Sequence, residues 1–302
     1  MMSGMYSAIS GLDAHQTMLN VTANNLANVD TVGYKAQSTV FSDELSSLVR
    51  AGTGPNGYTA GTNPLQVGLG VQVGSIQNMM GQGGTQTTGN ATDVLVQGDG
   101  FLQVANGQPG TVPPDPVTGA PVGGTTSLTN ESTPQFTRAG NLTFNAQGFL
   151  CTQTGQYVLG YPVDPATGLA DTTGTPNSAI YVPTDSTGIS IGQDGAVSFI
   201  DATTQQRVTA GYLSLGKFAN EAGLQRDGGS LWSATIASGA AQLGQPGQTG
   251  FGQTISGELE QSNVDMGTEF TNMIEAERGY QANASTITTA DQMMQTAVQM
   301  KQ

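Results

Sequence analysis

The chain has 302 residues, 43 of them glycine, and carries 8 Lys and Arg against 22 Asp and Glu for a net charge of −14. Its cations (Lys35, Arg50, Arg138, Arg207, Lys217, Arg226, Arg278 and Lys301) are spread out with no basic patch. This excludes nucleic acid and an anionic membrane surface as partners, because contacts to phosphate dominate such binding. No stretch approaches the roughly 20 apolar residues of a membrane span, and no membrane insertion is expected.

The N-terminus, MMSGMYSAISGLDAHQTML, lacks the basic start and unbroken apolar core of a secretory signal. Any route out of the cytoplasm is therefore expected to proceed without a cleaved leader. Met5, Ile9, Leu12, Gln16, Leu19, Ala23 and Leu26 alternate steps of four and three, a coiled-coil rhythm broken only by Gln16. Gly4 and Gly11 weaken such a helix, so packing must supply much of its stability. The helix runs into ANNLANVDTVGYK at 23–35. Asn28 and Gly33 suit a helix stop, since both tolerate the left-handed conformation. Asn24 and Asn25 lie one turn earlier, inside the pattern, and need another reason.

Residues 36–66 read as an irregular connector with one helix-like piece, FSDELSSLV. From 67 to 257, short apolar alternations are cut by Gly, Asn, Asp and Pro, the pattern of an all-β domain. VQGDGFLQV (96–104), FNAQGFLCT (144–152) and IGQDGAVSFI (191–200) each place a polar residue and a glycine between apolar runs, as hairpins require. The Pro- and Gly-rich stretches 107–134 and 162–183 read as exposed loops or small insertions.

The C-terminal part, 258–302, repeats the helical device. Met266, Phe270, Met273, Glu277, Tyr280, Ala284, Ile287, Asp291, Met294 and Val298 keep the same alternation, with Glu277 and Asp291 as exceptions. Ser262 and Asp265 in SNVD resemble a capping box. A helix from 264 to 300 spans about 55 Å, whereas the N-terminal one reaches only about 35 Å. Part of the longer seam therefore needs another chain, although an intramolecular hairpin with a frayed end fits the periodicity equally well. The expected fold class is α+β: both termini (1–35 and 258–302) build one discontinuous, coiled-coil-like helical module around a central all-β domain. Charge is sparse in 264–302, so apolar burial should drive any assembly and salt should weaken it little.

Catalytic chemistry finds little support. His15 is the only histidine and sits beside the N-terminal seam, as an ordinary surface or interface residue would. Cys151 is alone in a strand-like FLCT and permits neither an intramolecular disulfide nor a CxxC motif. There is no GxSxG elbow and no phosphate-binding glycine loop. GDG at 98–100 is a tight turn, and Glu275 and Glu277, two apart on a helix, do not face each other. No enzyme, cofactor or metal site is expected. A soluble or secreted β-rich binding protein remains the alternative from a different class.

SAISGLDAHQTMLNVTANNLANVDTVGYK resembles the N-terminal signature of flagellar rod and hook proteins, a helix followed by NN(I/L)AN and a T-x-G-(F/Y)-K tail. SNVDMGTEFTNMIEAERGYQANASTITTADQMMQTAVQM resembles their C-terminal signature, with R-x-Y-x-x-N ending at Asn283. ATDVLVQGDGFLQV and FTRAGNLTFNAQGFLCTQTGQYVLGY resemble their entry into the β domain. The resemblance implies a subunit of a hollow helical polymer, exported by the flagellum's own type III apparatus. It implies as partners further copies of itself, neighbouring axial proteins of the rod and the hook–filament junction, and the hook cap. Asn24, Asn25 and Asn28 would then bond exposed backbone at the helix end and fix subunit register. GTNPLQVGLGVQVGSIQ is similar to hook proteins, while ISIGQDGAVSF and SLGKFANEAGL are similar to the distal rod. The reading puts a flexible hook subunit first and a distal rod subunit second, with 302 residues short for a hook.

Overall fold

The computed structural model describes residues 2–54, 61–110, 124–129, 133–163, 169–171, 176–202 and 204–300. The class is α+β, and the chain divides into two compact units. One gathers Met1–Val29, Ala36–Met79 and Val264–Gln302; the other gathers Asp30–Lys35 and Met80–Asn263.

In the first unit, helix α1 (Met2–Ala27) packs against helix α2 (Met266–Gln299). The backbone stays non-helical through 261–265, so the cap is Asp265 rather than Ser262. The Asp265 carboxylate accepts from Gly267 N at 3.0 Å and Thr268 Oγ1 at 2.9 Å, which satisfies donors that the first turn leaves open. The face that α1 buries carries Ala8, Gly11, Ala14, Val21, Thr22 and Asn25, beside the large-residue seam rather than on it. Small residues set this choice. A Cβ on Gly11 would come within 2.7 Å of Asn283 Nδ2, and one on Gly279 within 2.5 Å of His15 Cε1. His15 is thus half-buried between α2 and the edge of Phe41, whose ring centroid is 5.7 Å away.

The expected helix-like piece at 41–49 is strand instead. Gln37–Asp43 pairs antiparallel with Val71–Asn78, and Ser46–Arg50 with Leu65–Gly68. Thr39 faces Ile76 and Phe41 faces Val73; pairing between β-branched and aromatic side chains outweighs the local helical reading. A two-stranded ribbon is marginal alone. Ser10 of α1 supports it, its Oγ accepting from Val71 N at 3.3 Å.

The second unit is β throughout apart from one turn of 3-10 helix (Glu221–Gly223) among the described residues. Among the described residues its largest sheet joins fifteen strands, with a path running Thr187–Ile191, Ala196–Ile200, Arg207–Leu213, Tyr157–Tyr161, Phe101–Ala105, Gln135–Thr137, Leu231–Ser233 and Gln225–Gly228. Val94, Leu102, Leu150, Val158, Val197, Phe199 and Leu213 form the main core, and Phe101, Phe136, Phe218 and Trp232 a second cluster. Two of the three expected hairpins exist: Leu142–Phe144 pairs with Leu150–Thr152, and Thr187–Ile191 with Ala196–Ile200. The first does not. Val94–Gln97 pairs with Gln253–Ser256, while Phe101–Ala105 enters the large sheet. Gly98 and Gly100 hold φ of 101° and 126° and turn the chain between two sheets instead of back on itself.

Of the stretches read as loops, 111–123, 130–132, 164–168 and 172–175 lie outside the described residues. Their flanks are sheet. Gly124–Thr129 pairs with Ser178–Tyr181, whose Ala179 and Ile180 are fully buried; β-branched TTSLT and apolar SAIY override the surrounding Pro and Gly. Cys151 is a small buried residue whose Sγ donates to Thr143 O at 3.3 Å.

Candidate assembly surface

Asn25 is completely buried where three elements of the helical unit meet. Its Nδ2 donates to Gln37 O at 2.7 Å and to Glu269 Oε1 at 3.0 Å, and its Oδ1 accepts from Gln37 N at 2.9 Å. One amide thus joins the last turn of α1, the start of the first strand and the first turn of α2. Asn28 is half-buried and its Nδ2 donates to Asn24 O at 2.9 Å, occupying a carbonyl that the helix end leaves open. The Asn24 side chain is exposed. Asn28 thus bonds backbone at the helix end, as expected, whereas Asn25 bonds the backbone of Gln37 in the first strand.

The rest of the signature belongs to the β unit. Gly33, at φ 67°, donates its N–H to Glu260 O at 2.8 Å, and a Cβ there would meet Ala139 N at 2.6 Å. Tyr34 is buried beneath the Arg226 guanidinium, 4.4 Å from the ring centroid, and the same guanidinium lies 5.0 Å from the Trp232 ring. Arg226 also donates to Lys35 O at 2.5 Å. Lys35 Nζ is 2.7 Å from Glu260 Oε1 and donates to Gly81 O at 2.9 Å. Glu260 accepts further from Gly83 N at 2.9 Å and from Arg138 Nη1 at 3.4 Å. Two buried cations share one buried carboxylate. Burial depresses the Lys35 pKa below the usual lysine value, and Glu260 opposes that shift. Packed shut by backbone partners, the cluster anchors the segment. Sequence reading passed over Glu260, Arg138, Arg226 and Trp232. The sequence carried no signal for them, since the eight cations are spread along the chain and only folding brings Arg138 and Arg226 to the tail that ends in Lys35.

The predicted seam residues divide by exposure. Met5, Leu12, Leu19, Leu26, Met273, Tyr280, Asn283 and Ile287 are half-buried. Ile9, Met266, Phe270, Met294 and Val298 are exposed, as are Ile274 and Met293 beside them, and every residue from 291 to 300 is open. Apolar surface on this scale marks interaction sites. Among the described residues no helix is long and apolar enough to cross a membrane, and no three His, Cys, Asp or Glu gather as metal ligands.

Residues 5–35 match the family described as Flagella basal body rod protein, and 255–300 match Flagellar basal body rod FlgEFG protein C-terminal. Residues 126–199 match Flagellar hook protein FlgE/F/G D1 domain. The Flagellar basal-body rod protein FlgG of Bacillus subtilis (strain 168) is 36% identical over 302 residues, covering 100% of both chains. The chain belongs to the flagellar rod and hook protein family. It is a flagellar axial structural subunit, and members of the family are structural proteins rather than enzymes. The secreted binding-protein alternative falls with this match. FlgG of Caulobacter vibrioides is 34% identical over 99% of this chain and 100% of its own. Flagellar hook protein FlgE of Borreliella burgdorferi is 27% identical, and its alignment stretches over 444 positions against the 302 residues here. Relatives named as rod proteins thus match more strongly than this hook relative, reversing the order expected from GTNPLQVGLGVQVGSIQ at 61–77. Lys35 and Glu260 fall in the two terminal matched segments, so the ion pair joins both family signatures of the axial subunit.

Proposed function

We propose that this chain is a subunit of the flagellar basal-body rod, in its distal part, and that it assembles with copies of itself through the terminal helices. The observation that carries the rod reading is the end-to-end match in length to relatives named basal-body rod protein, against the much longer alignment to a hook protein. The assembly surface combines Met5, Ile9, Leu12, Leu19, Leu26, Met266, Phe270, Met273, Tyr280, Asn283, Ile287, Met294 and Val298, whose large side chains α1 and α2 leave wholly or partly uncovered. Asn24, Asn25 and Asn28 fix the shape of the helix end that neighbours meet. Neighbouring axial proteins take the two ends of the stack, and export runs through the flagellar type III apparatus. The hook cap is a partner only on the hook reading.

Immunogold electron microscopy of isolated hook–basal bodies, with antibody against the β unit, tests the assignment. Gold on the straight shaft is expected. Gold along the curved segment would return the hook reading, and absence of gold with expression controlled would remove both.

A further inference from the structure

Glu269 lies in the first turn of α2 and is 9% exposed, with its Oε1 taking the Asn25 amide at 3.0 Å. Among the described residues no Lys, Arg or His pairs with it. The group bonded to it from α1, Asn25, is uncharged, as is Gln37 of the first strand, which Asn25 bonds in turn. On its own helix, Asn272 offers an amide and Asp265 adds a negative charge one turn earlier. Met266 and Met273 flank it one turn to either side, and Met266 and Phe270 are exposed. A buried carboxylate without a cation therefore lies on the helix turn that carries exposed Met266 and Phe270, through which the subunit is read to assemble.

We propose that incorporation of this subunit into its polymer is coupled to uptake of one proton by the Glu269 carboxylate. The inference rests on the assembly reading above. A neighbour seated on Met266 and Phe270 strips remaining water from the carboxylate and supplies apolar surface, which disfavours the charged form. The proton comes from solvent and converts the carboxylate to a neutral acid. The Asn25 hydrogen bond survives, because Nδ2 donates equally to a carboxylic carbonyl oxygen. The free subunit already leans this way: burial raises the Glu269 pKa above the ordinary carboxylate value, Asp265 adds to the shift, and the Asn25 and Asn272 amides oppose it.

The test measures the critical concentration for assembly of the full chain by sedimentation, between about pH 8 and about pH 5. It should fall on acidification by up to about tenfold per pH unit, the limit for one proton per subunit. Glu269→Gln keeps the acceptor for Asn25 and should lose that slope. Asp265→Asn keeps a competent N-cap but removes the repelling charge, so its curve should move to lower pH. Equal slopes in wild type and Glu269→Gln, or an unmoved Asp265→Asn curve, overturn the proposal. If Glu269→Gln fails to assemble, the proton count from assembly heats of wild type in buffers of different ionisation enthalpy decides, and zero uptake overturns it. Wild type that forms no polymer at any pH would instead remove the assembly reading, and this proposal with it.

Discussion

Lys35 Nζ lies 2.7 Å from Glu260 Oε1 with both side chains closed off from water, although 225 residues separate them in sequence. Breaking a buried pair by removing one partner typically costs about 3–5 kcal/mol, because the other charge is left uncompensated. The two partners are not equivalent. Without Lys35, Glu260 keeps Arg138 and Gly83 N; without Glu260, both cations lose their carboxylate and keep only backbone carbonyls. Urea denaturation should therefore show Glu260→Gln as the more damaging change, near the upper end of that range, and Lys35→Met as the milder. The reverse order would mean that Arg138 does not share the carboxylate.

The same cluster sets a pH dependence. Burial lowers the Lys35 pKa in the folded chain, so between that value and the ordinary lysine value of about 10.4 the unfolded chain holds more protons. Stability then rises with pH across this window; below it the cost of a buried ammonium is present in full. Lys35→Met should flatten the alkaline side of the stability curve. An unchanged slope in that variant would assign the effect to other groups.

At the end of α1, Asn25 and Asn28 should differ in weight. Asn25→Ala abandons two donor bonds and one acceptor bond at a fully buried site, at about 1–3 kcal/mol for each group left unsatisfied. Asn28→Ala loses the bond to Asn24 O at the edge of water, about 1 kcal/mol. Loss of helical signal on heating should follow that order. Equal midpoints would show that water replaces the Asn25 amide and that the three-way junction is soft.

Steps of three and four placed both helices because large apolar residues dominate their rhythm. Which face each helix buries in its own chain was less legible. Ala8, Gly11, Ala14 and Ala276 carry little hydropathy, yet their small size permits the close approach that sets the packing. The strand at Gln37–Asp43 escaped notice because its partner begins at Val71, beyond any local window. Lys35 read as the end of a motif, and Glu260 belonged to none. Only folding, which sets the TVGYK tail beside the strand Glu258–Glu260, gives either a role. Contacts between distant segments follow no period, so the β pairing and ion cluster were beyond pattern reading.

The close approach of the helices makes a signed prediction. Ala in place of Gly in a helix interior gains up to about 1 kcal/mol of propensity. At Gly4, in the first turn of α1 and with no atom within 4 Å of an added Cβ, Gly4→Ala should realise part of that gain. At Gly279, the Cβ would meet three atoms of the His15 ring at 2.5–2.8 Å, and the ring would lose its edge contact with Phe41 on moving. Overpacking typically costs about 1–3 kcal/mol, so Gly279→Ala should lower the thermal midpoint while Gly4→Ala raises it. Adding His15→Ala to Gly279→Ala should recover part of the loss; additive effects would mean that the two residues do not touch.

The far end of α2 separates assembly from intrachain packing. Met294 and Val298 lie where every residue from 291 to 300 is exposed. If a second copy covers them, Met294→Ser with Val298→Ser removes apolar burial of about 2 kcal/mol, a rise of roughly thirtyfold in critical concentration. The melting midpoint of the unassembled chain should stay put, because the residues touch little within it. Added salt should change assembly little in either protein, since apolar burial rather than ion pairing drives it. A lowered midpoint with unaltered assembly would assign the seam to the chain itself. Loss of assembly with an unmoved midpoint would assign it to the neighbour.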